Sequence, residues 1–288
     1  MEKVYLNGNI VERDEARVSV FDRGFMYGDG VFETLRSYNG RPFRSPFHWR
    51  RLFRGLGMLG IPAPLSIDEM DAAVSSIIEA NAVTDGVVRV EITRGPSSRG
   101  PGTPAETKPT VVITCSAYSP VPESVYEQGV GIAISRVRRV PDICIPSEIK
   151  SANYLNCILA RRDAESAGDY EAVMLDLRGN LSECAASNIF LVSNDMLITP
   201  PLSNDVLPGV TRELVMELAG ARDVAVKEKA CTTSDLRCAD EVFLTNSVIE
   251  VMPVRTVEGA PVGAECPGRI TRKIRDAYKA RIVEECGL

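Results

Sequence analysis

Lys150 is the residue of this 288-residue sequence best placed to act as a nucleophile. It lies in ICIPSEIKSANYLNCILA, with apolar residues before it and a helix expected just after it. Apolar surroundings and the positive end of a helix both disfavour an ammonium, so its pKa should be lowered. Such an amine can form Schiff bases with carbonyl compounds. On position alone, a surface lysine lying along apolar surface is the commoner arrangement. Glu183 stands among small residues in GNLSECAASNIFLV, where a flat ligand could approach a carboxylate closely; a solvated turn glutamate is the plainer reading. Three segments could bind an anion. Gly209, Val210 and Thr211 of LPGVTREL open a helix whose free amides favour phosphate. Thr245, Asn246 and Ser247 of LTNSV end a strand, and Arg50 and Arg51 of HWRRL lie on a helix. Each of these also reads as a turn, a cap or a solvated face. Tyr27, Phe32, Arg36, Arg89, Arg99 and Tyr154 recur nearby, and an apolar wall with a few arginines suits small carboxylates.

Other chemistries are set aside by what the sequence lacks. His48 is the only histidine, which excludes a multi-histidine metal site and disfavours a Ser-His-Asp plan. The eight cysteines include no CxxC pair, so zinc, iron–sulfur and thioredoxin-like roles lose their signature. Gly28-Asp29-Gly30 is no dinucleotide fingerprint, because Glu33 stands where a third glycine is required. A formal charge of −6 argues against a nucleic-acid or anionic-membrane surface as the main partner. The start, MEKVYLNGNIVERDE, is acidic and polar, and no apolar run approaches the length of a membrane span. The expectation is a cytoplasmic protein with reduced thiols.

The elements that must position these residues alternate between strands and helices in both halves, which implies α/β or α+β lobes. Two strands, KVYLNGNIV and ARVSV, are expected within residues 3–20, and VFETLRSYNG alternates like a strand. Residues 46–60 have helical spacing, and Ser66 with Glu69 forms a capping box for a helix to Ala82. Strands follow at 86–95 and 110–118. SPVPES then marks a linker, giving an N-terminal domain over 1–118, a linker over 119–130 and a C-terminal domain over 131–288. In the second half, a helix is expected over 152–167, strands in YEAVMLDLRGNLSE, SNIFLVSNDMLITP and DEVFLTNS, and helices over 210–219 and 267–284.

Taken in order, six stretches resemble the class IV, fold-type IV pyridoxal-phosphate aminotransferases. They are YGDGVFETLR (27–36), HWRRL (48–52), EIKSANYLN (148–156), GNLSECAASNIF (179–190), LPGVTREL (207–214) and DEVFLTNSVIEVMPV (240–254). The resemblance implies a two-lobed enzyme with a small N-terminal α/β domain, a larger pseudo-barrel α/β domain that binds the cofactor, and a homodimeric assembly. It implies that Lys150 carries pyridoxal 5'-phosphate as a Schiff base and shuttles the proton at the substrate's α-carbon. Glu183 would face the pyridine nitrogen and Tyr154 would lie near the phenolic oxygen. Arg51, the arginine of H-x-x-R-L, would bind phosphate with Val210, Thr211 and Ser247, while Arg50 would point about 100° away around the helix.

The substrate is less sharply marked. Tyr27, Phe32, Arg36 and Arg89 fall where branched-chain aminotransferases carry comparable residues, although Val87 replaces their tyrosine. RGPSSRGP resembles the loop of D-amino-acid aminotransferases and of aminodeoxychorismate lyases. Arg99 matches the former's carboxylate-binding arginine, with Pro101 in place of its partner histidine. The lyases' K-H-L-N is KSAN here. The expected reaction moves an amino group between a branched-chain-like amino acid and a 2-oxo acid such as 2-oxoglutarate. D-amino-acid transamination, the lyase and (R)-amine transamination follow in that order. A cofactor-free binding protein of the same fold is disfavoured by the presence of lysine, glutamate and phosphate cup together.

Overall fold

The structure, a computed structural model, describes residues 2–97, 100–104 and 106–287. The chain divides into two compact units. The first comprises Met1–Ser119, Ile149–Asn153 and Ile282–Leu288, and the second Pro120–Glu148 and Tyr154–Arg281.

The first unit contains β1 (Lys3–Leu6), β2 (Asn9–Glu12), α1 (Arg23–Tyr27), β3 (Gly30–Tyr38), β4 (Arg41–Pro42), α2 (Ser45–Leu59), α3 (Ile67–Ala80), β5 (Gly86–Thr93) and β6 (Thr110–Ala117). The strands form one antiparallel sheet in the order β2-β1-β6-β5-β3-β4. Alternation on β3 and β5 sends Val31, Leu35, Val88, Val90 and Ile92 into a core with Trp49, Leu52 and Leu56 of α2 and Met70, Val74 and Ile77 of α3. Each fully buried side chain of this kind contributes about 1.5–3 kcal/mol. The same alternation leaves Phe32, Thr34, Arg36, Arg89 and Glu91 on the opposite face. The capping box at Ser66 and Glu69 is present. ARVSV is not a strand: Val18 and Val20 are exposed, and residues 16–19 lie outside regular structure.

The second unit contains α4 (Glu123–Gln128), β7 (Val130–Ile134), α5 (Leu155–Ala167), β8 (Glu171–Leu175), β9 (Leu181–Cys184), β10 (Asn188–Ser193), β11 (Met196–Thr199), α6 (Val210–Gly220), β12 (Val226–Glu228), α7 (Thr233–Arg237), β13 (Glu241–Asn246), β14 (Glu250–Val257) and β15 (Ala260–Pro261). The final helix α8 (Arg269–Cys286) begins here. A mixed sheet runs β12-β11-β10-β13-β14-β7-β8-β9, with β15 on β14. β7 and β8 are parallel, and α5 provides their crossover, packing Cys157, Ala160 and Ala164 on Ala133, Ala172 and Met174. Small residues on both sides bring this helix close to the sheet. Among the described residues no helix is long and apolar enough to cross a membrane.

The segment 119–130 differs from a simple linker. Glu123–Gln128 forms α4, and Tyr126 is buried with its hydroxyl donating to the Ile249 carbonyl at 3.2 Å. Two later segments return to the first unit. Ile149–Asn153 docks on β3 as described below. The last turn of α8 buries Cys286 and pairs Glu285 with Arg44 at 3.2 Å. Sequence patterning marks local breaks, whereas these returns depend on hydrogen bonds and ion pairs between distant residues.

Candidate active site

In the first unit the site begins at an open strand edge. β4 pairs only with Ser37 and Tyr38, so the Gly30–Glu33 edge of β3 is available. The 150–152 segment takes it: the Phe32 amide donates to the Lys150 carbonyl at 2.9 Å, and the Ala152 amide to the Gly30 carbonyl at 3.0 Å. Asn153 Nδ2 donates to the Gly28 carbonyl at 2.8 Å. Gly28 ends α1 at φ +67°, and a Cβ there would come within 2.9 Å of the Asn153 side chain, so both conformation and space require glycine. This docking places the half-buried Lys150 with Nζ 4.6 Å from the centre of the Phe32 ring. Arg89 Cζ lies 4.1 Å from the same centre. One aromatic ring therefore supports both the amine and a guanidinium.

Glu33 points to the other side of β3, toward α2, and is fully buried. Arg51 forks onto it, Nε to Oε1 and Nη2 to Oε2, each at 2.7 Å, and His48 Nδ1 meets Oε2 at 2.7 Å. Burial pushes the Glu33 carboxyl up, but the charges and hydrogen bonds of Arg51 and His48 outweigh it and hold the pKa at about 2. His48 moves below its ordinary value: burial dominates, with the Arg51 and Lys150 charges adding to it against the pull of Glu33. Arg50, the neighbouring arginine, is exposed beside Phe47. A second brace holds the turn before β3. Asp29 accepts from Arg23 Nε at 2.7 Å and Arg94 Nε at 2.8 Å, and these partners lower its pKa against the effect of burial.

The remaining expected substrate residues fall differently. Tyr27 is exposed, its hydroxyl accepting from the Gly100 amide at 3.1 Å and its ring beside Arg23. Arg36 is not held out for a ligand. It is buried, paired with Asp85, and stacked against Tyr38 and Tyr118 at 4.5 and 3.4 Å. Its position on β3 was legible, as was Tyr38 two residues on, but Asp85 and Tyr118 come from just outside β5 and β6. Arg99 lies outside the described residues.

In the second unit, Glu183 at the end of β9 is 6 % exposed. Oε2 accepts from Asn188 Nδ2 at 3.1 Å and from the Leu207 amide at 3.0 Å, while Oε1 pairs with Arg139 Nη2 at 3.0 Å. Arg139 is fixed in turn by the Asp205 carbonyl at 3.2 Å. Tyr154, just before α5, donates its hydroxyl to the Ala185 carbonyl at 3.1 Å. Burial, followed by nearby acidic groups, pushes that phenol well above its usual pKa.

The start of α6 has no side-chain cap, because its N-cap is Gly209. A Cβ at Gly209 would collide with Asn188 Oδ1. The glycine thus lets the helix begin against the Glu183–Asn188 pair, with the Val210 and Thr211 amides among the uncapped donors of its first turn. Thr245 Oγ1 at the end of β13, across the ladder from Asn188, is buried without a hydrogen-bond partner among the described residues. Asn246 shapes the turn beyond it, accepting from the Val248 and Ile249 amides at 2.8 and 2.9 Å, and Ser247 sits in that turn. Among the described residues no acidic, histidine or cysteine cluster could hold a metal ion.

Sequence reading overlooked Arg139, Asn188 and the pairing role of Glu33 and His48. For Glu33 a signal existed: it is in phase with Val31 and Leu35, on the apolar side of its strand, and a carboxylate there must be paired. His48 and Arg51 lie three apart on α2 and so share its face. Nothing singled out Arg139 from its neighbours in RVRR.

These features define an enzyme of a known class: residues 30–257 match the family described as amino-transferase class IV, and the chain belongs to that family. A putative branched-chain-amino-acid aminotransferase of Methanocaldococcus jannaschii is 39% identical, over 96% of this chain and 95% of that protein. A D-alanine aminotransferase of Listeria monocytogenes is 33% identical over 99% and 98%. The crystal structure of the Escherichia coli branched-chain amino acid aminotransferase superposes with a TM-score of 0.93 at 32% identity, covering 97% of this chain and 94% of that one.

Proposed function

We propose that this aminotransferase moves an amino group between a branched-chain-like amino acid and a 2-oxo acid, using pyridoxal 5'-phosphate. The observation that carries the reading is the shared Phe32 ring, which sets a lysine amine beside a guanidinium suited to a substrate carboxylate. The names of the relatives agree with it. The residues also fit the cofactor. The uncapped α6 start beside Gly209 and the orphaned Thr245 hydroxyl suit a phosphate, and the multiply bonded Glu183 carboxylate suits a pyridine nitrogen.

Bound there, the cofactor supplies a sink for the electrons left at the substrate's α-carbon. In this reading Lys150 would hold it covalently and would carry the proton exchanged at the substrate's α-carbon. Glu183 holds the ring nitrogen, with Arg139, Asn188 and the Leu207 amide fixing its direction, and Tyr154 lies at the phenolic oxygen. Arg51, Val210, Thr211 and Ser247 receive the phosphate, and Glu33 with His48 aims Arg51. Arg89 meets the substrate carboxylate, and Phe32 supplies the apolar wall. Tyr27 is a further contact for the substrate in this reading, and Arg36 supports the far end of β3. The second unit is then the larger, cofactor-binding domain. The exposed apolar set Val18, Val20, Phe21 and Phe25 supports a homodimer, and eight free thiols support a cytoplasmic setting.

A spectrophotometric half-reaction screen over L-amino acids, D-amino acids and (R)-amines tests the reading. Branched L-amino acids should convert the bound cofactor fastest. D-alanine as the best donor would favour the second reading, which rests on the D-alanine aminotransferase relative. Release of pyruvate from aminodeoxychorismate without an acceptor would instead mark a lyase.

A further inference from the structure

Glu171 opens β8 as a carboxylate that is 1% exposed and has no part in the chemistry described above. Oε2 accepts from Ser187 Oγ at 3.3 Å, and the Ala186 amide also donates to the carboxylate. Arg161 Nη1 stands 3.5 Å from Oε1, but this guanidinium is partly exposed and shared with Glu165. A buried charge so lightly paired is costly to keep. Beside it, the Ala185 amide donates to the Ala172 carbonyl at 2.9 Å. These bonds tie the start of β8 to the Ala185–Ser187 turn, which joins Glu183 and Cys184 of β9 to Asn188 of β10.

Two residues of the site hold the carbonyls of that turn. The Tyr154 hydroxyl donates to Ala185 at 3.1 Å, and Asn246 Nδ2 donates to Ala186 at 3.0 Å. The Ala185 carbonyl and the Ala186 amide belong to one planar trans peptide, so they point in opposite directions. Glu171 and Tyr154 therefore grip the two ends of a single peptide unit. Hydrogen bonds in such a chain polarise one another, and a charged acceptor on the amide makes the carbonyl a stronger acceptor. A phenol has one proton to give, and here it goes to that carbonyl.

We propose that Glu171 is a positioning residue which, through the Ala185–Ala186 peptide, holds the Tyr154 proton on the Ala185 carbonyl and away from the cofactor's phenolic oxygen. The inference rests on the reading that Tyr154 lies at that oxygen. Weakening the chain releases the proton toward the phenolic oxygen. A hydrogen bond there favours the form in which that oxygen carries uncompensated negative charge, so the lysine-bound cofactor loses its own proton at lower pH.

The test is a spectrophotometric pH titration of the bound cofactor in wild type, Glu171→Gln, Glu171→Ala, Tyr154→Phe and the two double variants, each confirmed as folded by circular dichroism. Glu171→Gln should lower the midpoint by about half a pH unit and Glu171→Ala by about one, since an ordinary hydrogen bond is worth roughly one unit. Both shifts should vanish in the Tyr154→Phe background. If Glu171→Ala does not fold, Glu171→Gln carries the same comparison. A shift that persists without the Tyr154 hydroxyl, an upward shift or none at all would show that Glu171 only supports the turn, and the proposal fails. If Tyr154→Phe alone leaves the midpoint unchanged, Tyr154 does not lie at the phenolic oxygen, and that reading and this proposal fail together.

Discussion

Substituting Arg51 by alanine should do two separable things. Arg51 makes two of the three side-chain contacts to Glu33, a carboxylate with no exposed surface. Removing one partner of a buried ion pair costs about 3–5 kcal/mol, because the remaining charge is left uncompensated. Arg50 is exposed, and its replacement should alter stability by no more than about 0.5 kcal/mol. The second effect is on the cofactor. A lost charge-assisted phosphate contact of about 1.5–3 kcal/mol weakens affinity roughly 10- to 150-fold. Urea unfolding of the apoprotein reads the first effect, and equilibrium titration with pyridoxal 5'-phosphate reads the second. The double variant Arg51→Ala, Glu33→Gln separates them, since a neutral residue at 33 should recover much of the stability and none of the cofactor affinity. The reasoning is refuted if Arg50→Ala and Arg51→Ala weaken the cofactor equally, or if the double variant restores its binding.

Three further outcomes are expected. Glu183→Gln should slow the single-turnover half-reaction far more than it weakens cofactor binding; a loss confined to affinity would give Glu183 another role. Arg89→Ala should lower kcat/KM for amino acids by roughly 100-fold, about 3 kcal/mol for a lost charged contact, with little change for amines lacking a carboxylate. Glu33 has a pKa depressed to about 2 from its ordinary 4.5, so its contribution to stability is present above pH 4.5 and lost as the pH falls toward 2. The stability difference between wild type and Glu33→Gln should therefore shrink through that window, by about 3 kcal/mol in all; a difference independent of pH would contradict the pairing.

Much of this molecule was legible because its elements are locally consistent. The α2 spacing, the Ser66–Glu69 box and the Gly209 helix start all appear where the sequence marks them. What escaped was set by distant partners. ARVSV alternates like a strand yet joins no sheet among the described residues, since alternation does not specify a neighbour. The short helices α1, α4 and α7 hide in glycine-, proline- and cysteine-punctuated stretches too short for a helical period to show. Lys150 is singled out by its apolar approach together with the EIKSANYLN resemblance, but its placement depends on β4 being two residues long, which leaves an edge of β3 for residues 150–152 to occupy. Arg36 and Arg89 looked equivalent on their strands. Asp85 and Tyr118 distinguish them, and no spacing along β3 announces those two, although Tyr38, two residues on, shares the face of Arg36.

The most direct test of the account is to reduce the purified holoenzyme with borohydride, digest it and locate the modified lysine by mass spectrometry. Of the seven lysines, the peptide containing Lys150 should alone carry the phosphopyridoxyl mass, and Lys150→Ala should carry none while still binding cofactor weakly. The added mass on any other lysine, or a Lys150→Ala variant with wild-type turnover, would contradict it.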